Sequence, residues 1–258
     1  MSAPRLHLDQ PIAAGARVAL DQRQAHYLRN VMRLRPGSEV LVFNGRDGEW
    51  LARLGEGKEP SLVAAERRRS QPPEAGPTLL AAPIKRPRLE WLLEKAVELG
   101  VRRIVPVLTE RSVVRPDASH RLRARAIEAA EQCGRLDVPE IAEPLPLAAA
   151  VDMVTAAETL AFADEAGGGR PLVEALEAER LAAFLIGPEG GFAPREREML
   201  LGRDRVVPVS LGGTILRAET AAIYTVACWR AVADRRGCGA AGDSSSTIRR
   251  ESTGGDSR

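Results

Sequence analysis

The chain has 258 residues, 44% of them hydrophobic and 28% charged, which fits a folded protein of one large domain or two modest ones. Its longest apolar runs are far too short to span a bilayer, and its first residues carry no secretory signal. Its three cysteines and three histidines show neither disulfide nor metal-ligand spacing. We therefore expect a cytoplasmic protein without a metal. The net charge of +2 is uneven, since residues 1–71 contain 12 Lys and Arg against 8 Asp and Glu, and nearly all basic residues are arginine. This fits either a GC-rich genome or a phosphate-binding surface.

Residues 1–71 have the pattern of a small all-β domain. Alternating apolar and polar residues and turn clusters such as 44–48 predict short strands at 5–9, 17–20, 40–43, 50–54 and 62–65. A short helix is expected at 24–32. These elements predict a small β-barrel of the size common among RNA-binding modules.

The predicted helix carries a basic cluster. Arg29 and Arg33 are four residues apart, which places them on one helix face, and His26, Tyr27 and Arg35 lie beside them in sequence. Arginines so spaced suit phosphate contacts, and His26 and Tyr27 suit stacking on a base. The same pattern is equally compatible with an ordinary solvent-facing helix.

Residues 72–77 are rich in proline and glycine and predict a linker. From residue 78 to 237, strands expected at 78–82, 103–108, 159–163, 182–186 and 206–210 alternate with helices. The helices include 89–97 followed by Gly100, 122–133 with Ser119 as N-cap, and 215–235. This alternation predicts a mostly parallel sheet with helices on both faces. Residues 238–258 are expected to be disordered, with either no role or an RNA contact through their arginines.

In open α/β sheets, ligands bind beyond the carboxyl ends of the strands, so the loops there are candidate sites. Residues 187–192 follow a predicted strand and include Gly187, Gly190 and Gly191, which let the backbone approach a ligand closely. Pro194 and Glu196 then fit the first turn of a helix. The alternative is a tight turn without a ligand. No P-loop or dinucleotide-binding glycine motif is present.

A second glycine-containing loop, 211–217, follows the last predicted strand. Arg217 falls at the start of the next helix, where the helix dipole disfavours a cation unless an anion docks nearby. Glu219 is two residues on, so the two side chains do not face each other and are expected to reach different partners. The alternative is a pair of exposed surface charges. Lys85, after the first strand of the domain, and Arg135, at the end of a helix, are weaker candidates that fit a solvated surface equally well.

Together, five segments resemble the RsmE family of bacterial methyltransferases. They are residues 26–37, 92–101, 131–135, 186–192 and 211–221, and the resemblance runs from residue 5 to about residue 235. It implies an N-terminal PUA-like β-barrel that binds RNA and a C-terminal SPOUT α/β domain with a trefoil knot. It also implies a homodimer that uses S-adenosylmethionine to methylate N3 of a uridine in 16S ribosomal RNA, at position 1498 of the small ribosomal subunit.

The chemistry of methyl transfer suggests roles for two residues, and the resemblance implies a set of donor-binding residues. Arg217 would stabilise charge on a uracil oxygen, and Glu219 would accept the N3 proton or orient the base. The residues implied to bind the methyl donor are Ala163, Gly187, Glu189, Gly190, Gly191, Leu211, Gly212, Ile215 and Leu216. Those expected to bind RNA are His26, Arg29, Arg33, Arg35, Lys85 and Arg135. The chain departs from the family at 213–214, where relatives often carry a bulkier residue.

Three other functions are compatible with parts of this pattern. One is a related SPOUT methyltransferase with another RNA target. Another is a non-catalytic RNA-binding or ribosome-assembly protein that kept the fold, which the intact glycine loops argue against. The third is a nucleotide-dependent α/β enzyme, which the missing glycine motifs argue against. Whether the substrate is naked RNA or an assembled subunit is open, and the resemblance favours the subunit.

Overall fold

The structure, a computed structural model, describes residues 3–57, 59–73 and 75–237. The expected disorder of 238–258 lies outside the described residues. Residues 70–77 connect two β-sheets, one built from the N-terminal strands and one from the C-terminal strands. Within the described part of the chain, every helix is too short or too polar to cross a membrane.

The N-terminal sheet has five strands, in the order β1-β3-β4-β5-β2, and curves into a half-barrel. Its strands are β1 (Arg5–His7), β2 (Arg17–Ala19), β3 (Glu39–Phe43), β4 (Glu49–Leu54) and β5 (Ser61–Arg69). Only the β1–β3 pair is parallel; the other neighbours are antiparallel. Side chains such as Leu28, Val40 and Leu62 are fully buried inside it.

The helix expected at 24–32 differs from its prediction. Helix α1 (Gln22–His26) starts at Asp21, whose side chain accepts a hydrogen bond from the Gln24 amide, and continues as a π-helical turn over Tyr27–Val31. Arg33 lies beyond this turn with φ +54°, a left-handed conformation that is rare outside glycine. Arg29 and Arg33 therefore do not share a helix face. Sequence periodicity missed this because a π-turn changes the hydrogen-bond spacing from four residues to five.

The C-terminal sheet has eight strands and every paired strand in it is parallel. Its strands are β6 (Thr78–Ala81), β7 (Arg103–Leu108), β8 (Glu140–Ile141), β9 (Leu145–Pro146), β10 (Thr159–Ala163), β11 (Arg170–Pro171), β12 (Leu181–Ile186) and β13 (Val206–Ser210). The order is β11-β13-β10-β12-β6-β7-β8, with β9 also paired to β7. The long strands match the predicted ones, whereas β8, β9 and β11 are too short to leave a periodic signal.

Helices cover both faces of this sheet, as expected. They are α2 (Arg86–Glu98), α3 (Ser119–Cys133), α4 (Leu147–Thr155), α5 (Leu172–Ala178), α6 (Pro194–Leu201) and α7 (Ala218–Arg235). One core cluster packs α2, α3, α5 and α7 on one face, and another packs α4 and α6 on the opposite face. The sheet is therefore the middle of three layers.

Two helix starts differ from the sequence predictions. Ser119 is the first residue of α3 and not its N-cap, which is Ala118, because the Ser119 hydroxyl is used by Glu143. Helix α7 begins at Ala218, three residues later than predicted, since Arg217 is its N-cap with extended backbone (φ −67°, ψ 153°). The residues before Ala218 thus remain a loop.

Arg5 joins the two domains. Its guanidinium donates hydrogen bonds to the carbonyl oxygens of Ala130 (2.8 Å), Glu131 (3.1 Å) and Arg135 (2.8 Å), at the carboxyl end of α3. The same group pairs with Glu49 Oε1 at 2.9 Å. Because a cation at a helix carboxyl end is favoured by the helix dipole, this contact fixes β1 on α3.

Candidate functional site

Three adjacent parallel strands end at the same edge of the C-terminal sheet. They are β13, β10 and β12, which end at Ser210, Ala163 and Ile186. The loops after them, 211–217, 164–169 and 187–193, therefore lie side by side. This is the edge at which parallel α/β sheets bind ligands.

The 187–193 loop, which we call the glycine loop, is packed so tightly that it requires glycine. Gly191 has φ +66°, and a Cβ at this position would collide with Glu165 Oε1. That oxygen accepts a hydrogen bond from the Phe192 amide at 3.0 Å. A Cβ on Gly187 would lie 3.0 Å from the Phe192 ring. The absence of side chains here therefore lets the loop fold against its neighbour and leaves its backbone accessible.

Ion pairs and caps hold this edge in place. Arg197 of α6 forms two hydrogen bonds, of 2.8 and 2.7 Å, with the buried Asp164 carboxylate. These bonds raise the pKa of Arg197, which stays charged. Glu196 accepts from the Ala193 amide at 2.9 Å with one oxygen and from the Glu110 amide at 2.8 Å with the other. The loops after β7, β10 and β12 are thus cross-linked.

The 211–217 loop presents backbone and apolar surface. Gly212 has φ +114°, which favours glycine, and a Cβ there would meet open space. Leu211 and Leu216 pack on the core, whereas Ile215 is 99% exposed. In the described residues, the backbone amides of 213–216 donate no hydrogen bond. Free amides beside an apolar surface are what a small-molecule site needs for orientation and affinity.

Arg217 and Glu219 do not pair with each other. Arg217 is exposed and makes no ion pair with the described residues, whereas Glu219 is only 8% exposed. Glu219 Oε1 lies 3.5 Å from Arg88 Nε, and Glu219 Oε2 is buried without a hydrogen-bond partner in the described chain. Arg88, on α2, also pairs with Glu189 of the glycine loop. Arg88 therefore bridges the glycine loop and the start of α7.

A cleft of about 490 Å³ lies on the other side of the glycine loop, above the ends of β6 and β7. Its apolar wall comes from Pro83, Ile84, Val113, Val114 and Pro188, and its charged residues are Lys85, Arg111 and Glu189. Arg111 donates to the Gly190 carbonyl at 2.8 Å, and Val113 is 88% exposed. The glycine loop therefore has the predicted donor-side residues on one side and this cleft on the other. In the described chain, no group of acidic, histidine or cysteine side chains could hold a metal ion.

The predicted RNA-binding residues separate into three places. His26, Arg33 and Arg35 are exposed around the π-turn, and Arg29 donates to the Gly57 carbonyl at 3.3 Å. Lys85 is exposed and lines the cleft.

Arg135 lies elsewhere and its side chain is only 11% exposed. It forms two hydrogen bonds, of 2.9 and 2.8 Å, with Asp137 and one of 3.1 Å with the Val97 carbonyl. Three of its five N–H donors are used within the chain, so this geometry supports a structural role, and its RNA contact stays a prediction.

Sequence reasoning missed Arg88, Arg111 and Glu165. Arg88 follows Lys85 in a basic run before an apolar helix pattern, a signal equally typical of a solvated helix start. Arg111 and Glu165 lie in loops just after β7 and β10, where their position at strand ends was the only signal available. Their partners are far away in sequence and become visible only in the fold.

Known proteins are similar to this chain over most of its length. Residues 72–230 match the family model of an RNA methyltransferase domain, and residues 20–64 match that of an RNA methyltransferase PUA domain. The ribosomal RNA small subunit methyltransferase E of Rickettsia conorii is 30% identical over 88% of this chain and 95% of the relative. The corresponding protein of Synechocystis is 34% identical over 82% of this chain and 72% of the relative.

A solved structure is similar as well. The ribosomal RNA small subunit methyltransferase E of Neisseria gonorrhoeae, bound to S-adenosyl methionine, aligns with a TM-score of 0.77 at 26% identity, covering 90% of this chain and 98% of that one. The expected fold class, a PUA-like domain followed by a SPOUT α/β domain, is confirmed, and the path of a trefoil knot stays a prediction. The chain belongs to the ribosomal RNA small subunit methyltransferase E family.

Proposed function

We propose that this protein transfers a methyl group from S-adenosylmethionine to N3 of a uridine in the RNA of the small ribosomal subunit, at position 1498 of 16S ribosomal RNA. Family membership supports methylation of ribosomal RNA, and the donor in the Neisseria gonorrhoeae structure supports the cofactor. The uridine N3 target comes from the resemblance of the loop motifs. The arrangement of the loops described above supports this chemistry.

The residues at the ends of β13, β10 and β12 fit the methyl donor. The free amides of 213–216 are hydrogen-bond donors for an adenine or ribose, and Leu211, Leu216 and Ile215 supply apolar contact. The open space around Gly212 and Gly213 leaves room for a ligand at the loop backbone. When bound, S-adenosylmethionine supplies an electrophilic methyl group on its sulfonium. The protein's task is to align the acceptor with it.

The observation that carries the proposal is the unpartnered oxygen of Glu219. A buried carboxylate oxygen without a donor is costly unless a ligand satisfies it. Uridine N3 carries a proton that must leave before or during methylation, and Glu219 Oε2 would accept it after a side-chain rotation that exposes this oxygen to the base. The exposed Arg217, two residues earlier, would stabilise the negative charge that develops on a uracil carbonyl oxygen.

The cleft on the opposite side of the glycine loop suits a nucleotide that flanks the acceptor, because neither Arg217 nor Glu219 lines it. Its apolar wall fits a flat base, and the cationic side chains of Lys85 and Arg111 suit the flanking phosphates. Since Glu189 and Gly190 belong to both the glycine loop and the cleft, a flanking nucleotide in the cleft would leave the acceptor base at Glu219 and the donor on the other side of the loop.

We also propose a homodimer in the cytoplasm, as the family resemblance implies. Ile215 and Val113 support the dimer, because both are apolar side chains left exposed beside the site. His26, Arg29, Arg33 and Arg35 remain the proposed RNA contact of the N-terminal domain.

Substitution of Arg217 by alanine tests the proposed reaction. We expect Arg217→Ala to lose at least about 100-fold in methyl transfer, as for other groups that stabilise an oxyanion, while calorimetry shows unchanged donor affinity. Lys85→Ala is the companion variant and should raise the KM for the subunit. Loss of donor binding and transfer together in Arg217→Ala would contradict the assigned role, as would full activity.

A further inference from the structure

The N-terminal domain has a pocket that the proposed reaction does not use. It has a volume of about 390 Å³ and lies between the turn 44–48, strand β5 and the first residues after it. We call it the hairpin pocket and define it by Arg46, Asp47, Trp50, Arg67, Ser70 and Gln71. We propose that it binds one unpaired nucleotide of the RNA, away from the nucleotide that is methylated. This inference rests on the proposed function for the identity of the RNA.

The wall of the pocket is held rigidly. Asn44 Oδ1 accepts from the amides of Arg46 (3.0 Å) and Asp47 (2.9 Å), and Asn44 Nδ2 donates to Asp47 Oδ2 at 2.6 Å. Asp47 Oδ2 also accepts from the Ile12 amide at 2.8 Å. The hydrogen bond from Ile12, followed by that from Asn44, lowers the pKa of Asp47. A turn with this many internal bonds is preorganised, which reduces the ordering cost of binding.

The pocket combines an aromatic ring with free positive charge. Trp50 is half-buried, and its indole Nε1 donates to the Asp47 carbonyl at 2.9 Å, which fixes the ring. Arg67 is the cross-strand partner of Trp50, so the two side chains emerge on the same face of the sheet. In the described residues Arg67 forms no hydrogen bond or ion pair, whereas the neighbouring Arg68 pairs with Glu66. Arg67 is therefore a cation available to a phosphate.

A distortion of the sheet shapes this arrangement. The register between β4 and β5 shifts between Glu49 and Trp50, so that Glu49 faces Arg69 while Trp50 faces Arg67. Arg69 and Glu49 form a structural ion pair, with Nη2 to Oε1 at 2.7 Å. The bulge thus separates one arginine that is used in folding from one that is left for a ligand.

An unsatisfied acceptor lies at the same place. Gln71 Oε1 is buried and has no hydrogen-bond partner among the described residues, and Gln71 lines the pocket. Nucleobases carry ring N–H or amino donors at their edges, which match such an acceptor after a small side-chain rotation. A phosphate alone would leave the amide oxygen unsatisfied.

These features favour a nucleotide over other ligands. Stacking on the tryptophan supplies affinity for any base, and Arg67, with Arg46 at the rim, supplies charge for the backbone. Arg46, Arg67 and Asp47 together give the pocket a net charge of about +1. This charge alone would also suit an acidic peptide, but charge combined with the aromatic ring favours RNA. A segment of a ribosomal protein is the competing occupant, and the experiment below distinguishes the two.

The test measures the affinity of the full-length protein for assembled small subunits as a function of salt. We expect Arg67→Gln to weaken binding several-fold and to reduce the salt slope by about 0.7–0.9, as for one lost phosphate contact. Trp50→Leu should lower affinity about tenfold, the loss of one stacked base. The matched control is Arg53→Gln, because Arg53 is exposed on the same sheet but pairs with Glu39 outside the pocket. It should leave affinity nearly unchanged.

Photocrosslinking of subunits that contain 4-thiouridine then identifies what the pocket touches. A crosslink from Trp50 or its neighbours to an RNA nucleotide, together with the reduced slope in Arg67→Gln, would support the proposal. Wild-type affinity and slope in Arg67→Gln, or a contact of the pocket with a ribosomal protein in place of RNA, would overturn it. Because the readout is binding, a wild-type protein that methylates nothing would contradict the proposed reaction and leave this inference intact.

Discussion

Replacing Arg5 by methionine should show how much free energy the contact between the two domains contributes to stability. Arg5 is largely buried, with 13% of its side chain exposed, and its guanidinium makes the three carbonyl contacts at the end of α3 and the pair with Glu49. Each hydrogen bond from a charged donor contributes about 1.5–3 kcal/mol, but the four act together and are not additive. Arg69 still holds the Glu49 carboxylate after the substitution. Because Glu49 keeps this partner, the loss comes mainly from the three carbonyl oxygens, and we expect about 3–5 kcal/mol.

The assay is the free energy of unfolding from urea titrations of wild type and Arg5→Met, followed by intrinsic fluorescence. Methionine keeps much of the side-chain volume, so the change reports mainly on the lost hydrogen bonds and charge. Arg53→Met is the control, since the exposed Arg53–Glu39 pair should contribute less than about 1 kcal/mol. A loss below about 1 kcal/mol in Arg5→Met would refute the reasoning, because the carbonyls and Glu49 would then be equally well satisfied by water.

Arg88→Gln should lower the rate of methyl transfer more than about tenfold in a steady-state assay, because the bridge from the glycine loop to α7 is lost. Arg86→Gln is the control and should keep its activity, because Arg86 lies on the same helix but is exposed and outside the bridge. Gly191→Ala should reduce donor affinity in calorimetry, because its Cβ collides with a carboxylate at positive φ, while Gly202→Ala, with only ordinary contacts, should bind normally. Burial raises the pKa of Glu49, but hydrogen bonds from Arg69 and Arg5 outweigh it and leave the pKa lowered. The stability that Glu49 contributes should therefore be fully present above its unfolded-state pKa and be lost as the pH falls through the lower folded-state pKa, as measured by urea titrations. The role of Arg88 would be contradicted by equal activity in both arginine variants, and that of Gly191 by equal donor affinity in both glycine variants. The role of Glu49 would be contradicted by a free energy of unfolding that does not change at acidic pH.

The fold could be predicted largely from local pattern and from the motif resemblance. Strands and helices of the C-terminal domain alternate with clear periodicity, and the long strands occur where that periodicity placed them. The errors fall where backbone geometry overrides periodicity. Ile215 and Leu216 continue the apolar pattern of α7, but Gly212 at φ +114° and the extended backbone of Arg217 keep them outside the helix.

The candidate site could be predicted only in part, because sequence shows which loops lie at strand ends but not which side chains meet. Arg88 and Glu189 are 101 residues apart, and no periodicity connects them. The same holds for Arg5 and the end of α3, where the partners are 125 or more residues apart. Arg135 shows the converse: its charge fits RNA, and only the fold reveals that it forms three hydrogen bonds with Asp137 and Val97, so its RNA contact stays a prediction.

We propose that this protein methylates N3 of one uridine in the small-subunit RNA. The most direct test incubates the protein and S-adenosylmethionine with small ribosomal subunits from a strain that lacks it, and then maps the product by reverse transcription. N3 methylation blocks Watson–Crick pairing and therefore halts the polymerase. We predict one new stop, at the nucleotide adjacent to uridine 1498, that requires the donor and is absent with Arg217→Ala. A stop at another nucleotide, or no methylation of subunits shown to be unmodified, would contradict the account.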